Sequence, residues 1–138
     1  MLIDRDKLKL INDWDTNIFN YFEDMDLCLR FRLKGFEIIK IRSAEVDHDA
    51  FASHDKSLSR QLDFSRNWHY SWSRFYFLKK HTTILGAYLY GLNVFILSII
   101  KSFFYFFFKR AKSITHFAKA YGTFYAILNL PSNYRPKI

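Results

Sequence analysis

The sequence predicts an α/β fold, with a few strands and short helices in its first half and amphipathic or apolar helices in its second half. Three observations support this prediction. The run FEIIKI at 36–41 is rich in β-branched residues and suits a buried strand. Apolar residues recur at a helical period across 24–34. Residues 82–100 carry no charge and are long enough to cross a bilayer as a helix.

The first elements are short. The opening residues MLI indicate the remnant of a strand, and RDKLKLIND predicts a short amphipathic helix. The helix at 24–34 places Met25 and Leu29 on one side, and Gly35 supplies its C-terminal stop.

Two strands and a loop are expected next. The strand at 36–41 is followed by AEVDH at 44–48, which is expected to form a second short strand. Residues 49–65 are polar and serine-rich without a sustained period, which predicts a loop.

A helix is expected to start at Arg66, with Trp68, Trp72 and Phe75 along one stripe. Aromatic residues beside cations are typical of a helix at the headgroup level of a membrane. The uncharged segment 82–100 fits either a membrane-spanning helix or two shorter helices lying in the interface.

Charge is divided unevenly along the chain. Residues 1–65 hold ten Lys and Arg against thirteen Asp and Glu, whereas residues 66–138 hold eleven Lys and Arg and no acidic residue. A purely basic half favours an anionic partner. The long uncharged segment inside that half favours an anionic membrane over nucleic acid, so nucleic acid is not expected as a partner.

Three carboxylates, Glu23, Asp24 and Asp26, follow an aromatic cluster directly in the sequence. Acidic residues in a first turn complement the helix dipole, so they are consistent with an ordinary helix start. Crowded carboxylates with apolar neighbours also raise one another's pKa, which suits a general base. The local pattern leaves both interpretations open.

The segment FNYFEDMDLCLRFRLKGFEIIKI, followed by SAEVDH, resembles the C-terminal part of family 2 glycosyltransferases of the rhamnosyltransferase-like kind. The family pattern F-x-Y-F-E-D-x-D-L-C-x-R, a helix, a Gly, an apolar strand and V-x-H is matched at Phe19, Tyr21, Phe22, Glu23, Asp24, Asp26, Leu27, Cys28, Arg30, Gly35, Val46 and His48.

The resemblance implies a partial GT-A fold and an inverting glycosyl transfer from a nucleotide-sugar donor to a glycan or lipid-linked acceptor. By resemblance Asp24 is the base that deprotonates the acceptor hydroxyl, Glu23 is its rival, and Asp26 orients or caps. A divalent metal, Mg or Mn, is expected for the complete enzyme. The donor-binding half of the family is missing here, so a truncated chain that is inactive alone is expected.

Further candidate ligands follow from the same resemblance. His48 ends a predicted strand, and in some relatives a histidine here helps to hold the metal or the diphosphate. Arg66, Arg74 and the cluster Lys79, Lys80 and His81 could bind a donor diphosphate or a lipid pyrophosphate, because guanidinium and ammonium groups suit phosphate. A solvated basic face explains the same residues.

The prediction is therefore an acceptor-side remnant at 1–65 and a basic, aromatic, membrane-associating region at 66–138. The expected function is the acceptor-binding and base-carrying half of a glycosyltransferase in cell-surface polysaccharide or lipid-linked glycan synthesis. The expected location is the cytoplasmic face of the membrane, peripheral or with a single span. The alternative is a small non-catalytic basic protein that binds membranes.

Overall fold

The computed structural model describes residues 2–43, 45 and 59–136. Across these residues the chain forms helices and no strand. The helices in chain order are α1 (Arg5–Leu10), α2 (Glu23–Leu33), α3 (Ser59–His81), α4 (Ile84–Phe108) and α5 (Arg110–Ile127).

The three long helices pack together as a bundle. α3 and α4 form one helical hairpin, α4 and α5 form a second, and α5 returns alongside α3. The core lies mainly between α3 and α5, where aromatic side chains of α3 meet small residues of α5. Its buried members are Trp68, Trp72, Phe75, Ala118 and Ala126.

Small residues allow the helices to approach closely. A Cβ atom added to Gly122 of α5 would lie 2.2 Å from the carbonyl oxygen of Trp68, so this crossing requires the absence of a side chain. Gly91 of α4 plays a similar part against the ring of Phe75, which a Cβ atom would meet at 2.6 Å. Glycine is therefore a packing residue at both crossings.

The N-terminal segment binds along α3 through side chains. Ser73 donates a hydrogen bond to the carbonyl oxygen of Asn20 at 2.7 Å. The ring of Phe22 contacts Tyr70 and Phe77 with centroids 5.5 Å apart in each case. These contacts hold α2 against the C-terminal half of α3.

The two predicted helices of the first half are confirmed, with α2 shifted by one residue and α1 ending three residues earlier than predicted. α1 is capped by Asp4, whose carboxylate accepts from the backbone N–H groups of Asp6 and Lys7. α2 ends before Gly35, whose φ of 82° is the left-handed conformation that favours glycine.

The predicted α/β fold is wrong for the described residues, which are helical or irregular. Residues 36–41 form no strand, and Ile38, Ile39 and Ile41 are exposed. A β-branched run favours a strand only where a neighbouring strand and a core accept it, and the described part of the chain supplies no neighbouring strand. The predicted strand at 44–48 falls almost wholly outside the described residues.

Two boundaries in the second half also differ. Helix α3 begins at Ser59, so the last seven residues of the predicted loop 49–65 are helical. Residues 84–100 of the uncharged segment belong to one continuous helix, α4, rather than to two shorter ones.

The predicted aromatic stripe of α3 has a different role from the one expected. Trp68, Trp72 and Phe75 do share one face, but each is 4% exposed or less because α4 and α5 cover that face. The prediction that these side chains lie at headgroup level is therefore wrong. They form the core, and α4 carries the exposed apolar surface.

Candidate functional site

A buried carboxylate, Asp26, is the centre of an ionic cluster between α2 and the end of α3. Arg30, one turn along α2, donates from Nε to Asp26 Oδ2 at 2.8 Å. His81 Nε2 donates to Asp26 Oδ1 at 2.7 Å, and Lys80 Nζ lies 2.7 Å from the same oxygen. Three basic side chains therefore surround a carboxylate that is 0% exposed.

A second carboxylate joins the cluster through Lys80. Lys80 Nζ donates to Asp15 Oδ2 at 2.6 Å, and the hydroxyl of Tyr76 donates to the same oxygen at 2.9 Å. The Asn17 backbone N–H and side-chain amide donate to the other oxygen of Asp15. The loop between α1 and α2 is thereby fixed to the last turns of α3.

The pKa values of both carboxylates are lowered. Burial alone would raise the pKa of Asp26, but hydrogen bonds from Lys80, His81 and Arg30 outweigh burial and bring the pKa below its ordinary value. The same balance, with Lys80, Asn17 and Tyr76 as donors, lowers the pKa of Asp15 to about 2. Burial and the bond to Asp15 raise the pKa of Tyr76 to about 12.

The three predicted carboxylates do not converge on one point. Asp24 is exposed, and its Oδ1 accepts from the backbone N–H of Met25 at 2.8 Å. Glu23 is half-buried, and its Oε2 has no hydrogen-bond partner among the described residues. Asp26 faces α3 with a lowered pKa, which is opposite to the raised pKa expected from carboxylate crowding. The geometry of Asp26 is that of a structural ion cluster.

The predicted phosphate ligands on α3 are engaged separately. Arg66 lies 3.5 Å from Asp63. The guanidinium of Arg74 lies 4.9 Å from the ring centroid of Tyr90, which is a cation–π contact. Lys79 Nζ donates to Asn129 Oδ1 and lies 5.9 Å from the ring centroid of Tyr88. These contacts join the three cations to different residues.

The predicted metal ligand, His48, lies outside the described residues. Within residues 2–43, 45 and 59–136, no group of three or more His, Cys, Asp or Glu side chains could hold a metal ion. The role of His48 therefore stays a prediction.

A buried histidine that the sequence did not single out anchors the C-terminal segment. His69 is 1% exposed; its Nε2 donates to the carbonyl oxygen of Tyr134 at 2.9 Å, and its Nδ1 accepts from the Ser132 hydroxyl at 3.0 Å. Burial lowers the pKa of His69, so this side chain is neutral at neutral pH. The ring belongs to the packing of the bundle.

The outer face of α4 carries a long exposed apolar surface. Residues three or four positions apart form a continuous stripe along it, and each is 46–71% exposed. Over about 22 residues such a stripe is about 33 Å long. Its members are Leu85, Leu89, Leu92, Ile96, Ile100, Phe103 and Phe107.

The opposite side of α4 faces the bundle. Ala87, Gly91 and Ser98 are buried there. Near the end of the hairpin, Ser102 and Ser113 each donate to the other's carbonyl oxygen, at 3.0 and 2.8 Å. These hydrogen bonds hold α4 against α5. The apolar stripe faces away from α5 and has no partner in the described chain.

Cations stand beside the stripe, and α4 is long enough to cross a membrane. Lys101, Lys109, Arg110 and Lys112 are exposed around the end of the α4–α5 hairpin. Lys101 follows Ile100 by one residue, which turns it about 100° away from the stripe. By length and composition α4 is the one described helix that could span a bilayer, and little of its apolar length is buried inside the protein.

The comparisons with known proteins give no relative. No protein-family model matches the sequence, and the searches of curated proteins and of solved structures also find no significant match. The predicted membership of family 2 glycosyltransferases is therefore wrong. No family model matches the sequence, and the described residues form helices without the strands of a GT-A fold.

Proposed function

We propose that this chain is a helical membrane-binding protein that inserts the outer face of α4 into the interface of an anionic membrane. The observation that carries the proposal is the exposed apolar stripe of α4, because contiguous apolar surface of this size marks an interaction site. The adjoining cations and the absence of any acidic residue after Asp63 favour a negatively charged surface. In a cell, the cytoplasmic leaflet is such a surface.

An interfacial position is favoured over a span by the packing of α5. α5 lies along α4, with the rings of Phe95 and Phe124 stacked at 5.8 Å, so the two helices are expected to move together. α5 carries Arg110, Lys112 and Lys119. Each cation would cost about 2.5–3.5 kcal/mol at the centre of a bilayer, whereas at the headgroup level it is stabilised.

Sedimentation of the full chain with vesicles tests the proposal. We expect it to pellet with phosphatidylcholine vesicles that contain phosphatidylglycerol and to bind less to phosphatidylcholine alone. Ile96→Glu should weaken binding at least tenfold, because burying one such side chain contributes about 1.5–3 kcal/mol. Leu33→Glu on α2 is the matched control, since Leu33 is also exposed but lies away from the stripe.

Two results would overturn the proposal. One is a chain that ignores anionic vesicles at low salt, and the other is an Ile96→Glu variant that binds as well as the Leu33→Glu variant. Raising the salt from 0.1 to 1 M shortens the Debye length from about 10 to about 3 Å, so it should release an interfacial chain in part. A spanning chain would stay in the pellet under the same conditions.

The glycosyl-transfer function, with its nucleotide-sugar donor, glycan acceptor and divalent metal, stays a prediction that the described contacts do not test. It depends on the family resemblance, which no family model supports. The membrane-binding function is independent of that resemblance.

A further inference from the structure

One side of the α4–α5 hairpin carries a cluster of basic side chains from both helices. Tyr105 of α4 stacks on His116 of α5 with ring centroids 5.5 Å apart and planes 10° apart. Lys112 Nζ lies 5.6 Å from the centroid of the same Tyr105 ring. The aromatic pair thus fixes where the two helices present their cations.

Helical spacing adds two more lysines to this side. Lys101 precedes Tyr105 by four residues on α4, and Lys119 follows His116 by three residues on α5. Both lysines act electrostatically on His116. Burial and then the charges of Lys119, Lys101 and Lys112 lower the pKa of the His116 imidazole. We call Lys101, Lys112, His116 and Lys119 the basic cluster.

The positive charge of the basic cluster is not neutralised within this part of the chain. No acidic residue occurs after Asp63, and the described ion pairs of the protein involve α1, α2, α3 and the loop before α2. Like charges at this spacing repel one another, so a fixed anion between them would be stabilising.

The position of the basic cluster identifies the kind of anion. It flanks the apolar stripe of α4, about 100° around the helix from Ile100. When the stripe is buried in the interface, this flank lies at the level of the lipid phosphates. Ammonium groups and an imidazole edge are suitable donors to phosphate oxygens.

We propose that the basic cluster binds the phosphate headgroup of a single anionic phospholipid. Lys101 of α4 and Lys112 and Lys119 of α5 would contact the phosphate, and His116 would donate a hydrogen bond to it. This inference rests on the proposed membrane-binding function and adds a specific lipid contact to it.

A charge-matched pair of variants separates a specific site from general attraction. Lys112→Gln removes a member of the basic cluster, and Lys109→Gln removes an exposed lysine outside it. General attraction predicts about a fivefold loss of binding to anionic vesicles for either variant, since one basic residue contributes ~1 kcal/mol. A direct charge-assisted contact predicts about a thirtyfold loss for Lys112→Gln alone.

A second measurement uses a soluble lipid and requires no vesicle. The full chain is titrated with short-chain dihexanoyl phosphatidic acid below its micelle concentration, and the His116 ring is followed by NMR. A bound phosphate should raise the pKa of His116, and Lys112→Gln should abolish that rise while Lys109→Gln keeps it.

The outcomes distinguish this inference from the proposed function. Equal losses for the two variants, or a His116 ring that does not respond to the short-chain lipid, would overturn the lipid site while leaving vesicle binding intact. An equal response to inorganic phosphate would overturn the assignment to a lipid headgroup. Failure to bind vesicles, with the His116 response retained, would overturn the proposed function instead.

Discussion

The Asp26 carboxylate accepts a hydrogen bond from His81 Nε2 at 2.7 Å, across 55 residues of chain. Both side chains are almost fully buried, with 1% of the Asp26 side chain and 8% of the His81 side chain exposed. The contact holds α2 against the last residue of α3, which lies three residues before the start of α4. It therefore links the N-terminal segment to the helical bundle that carries the apolar stripe.

Replacing Asp26 should destabilise the fold, whereas replacing Asp24 should not. Asp26→Asn removes the charge that Arg30, Lys80 and His81 share. Removing one member of a buried ion pair costs about 3–5 kcal/mol, and partial exposure of Lys80 reduces the expected loss to about 2–4 kcal/mol. Asp24→Asn is the matched control, because Asp24 is exposed. Urea unfolding followed by circular dichroism measures both, and equal stabilities would contradict the structural role of Asp26.

Acid should weaken the contacts that Asp15 and Asp26 make with the end of α3. The pKa of Asp15 is 3.8 in an unfolded chain and about 2 in the folded one, so the unfolded state binds more protons as the pH falls. The stability contributed by Asp15 is complete above pH 3.8 and is lost as the pH approaches 2. Asp26, whose pKa is also lowered, adds to this loss. The free energy of unfolding should therefore fall over this range, and it should fall less steeply in Asp15→Asn. An identical pH dependence in that variant would contradict the assignment.

The crossing of α3 and α5 should not tolerate a side chain at Gly122. Gly122→Ala places a Cβ atom against the backbone carbonyl of Trp68, which cannot rotate away, so α5 has to shift. Overpacking of this kind costs about 1–3 kcal/mol. In Gly91→Ala the new methyl group meets the Phe75 ring, a side chain that can move, and a smaller loss is expected. Thermal unfolding of the two variants gives the comparison, and a Gly122→Ala protein as stable as the unsubstituted chain would show that the helices are farther apart.

The two ends of α4 should lie on the same side of a membrane. In a Cys28→Ala background, Thr82→Cys and Lys109→Cys place single thiols just outside the helix termini. With the protein added to preformed vesicles, a membrane-impermeant maleimide should label both positions before detergent is added. Protection of one position until the vesicles are dissolved would show that α4 spans the bilayer. The Cys28→Ala parent controls for nonspecific labelling.

Some parts of the fold follow from local sequence. α1 and α2 were predicted because their apolar spacing and their end signals depend on neighbouring residues, and Gly35 ends α2 through a backbone conformation that glycine favours. The strand predicted at 36–41 is absent. A strand depends on partners elsewhere in the chain, and the described residues hold none for 36–41.

The candidate site shows a similar division. The acidic cluster was visible in the sequence, but the sequence did not show which carboxylate is buried. Asp26 is distinguished from Asp24 by Lys80 and His81, which lie more than 50 residues away. No local pattern predicts such a pairing, because both carboxylates occupy the first turn of the same helix.

The sequence by itself determined that the second half of the chain is helical, apolar and purely basic, because these properties depend on composition and on short-range period. The tertiary structure decided which apolar face is available to a partner. The aromatic stripe of α3 and the apolar stripe of α4 have the same kind of helical spacing, but α4 and α5 cover the first, whereas the second is exposed. Burial is a property of the packed helices together, and for that reason it could not be obtained from the spacing of residues within either helix.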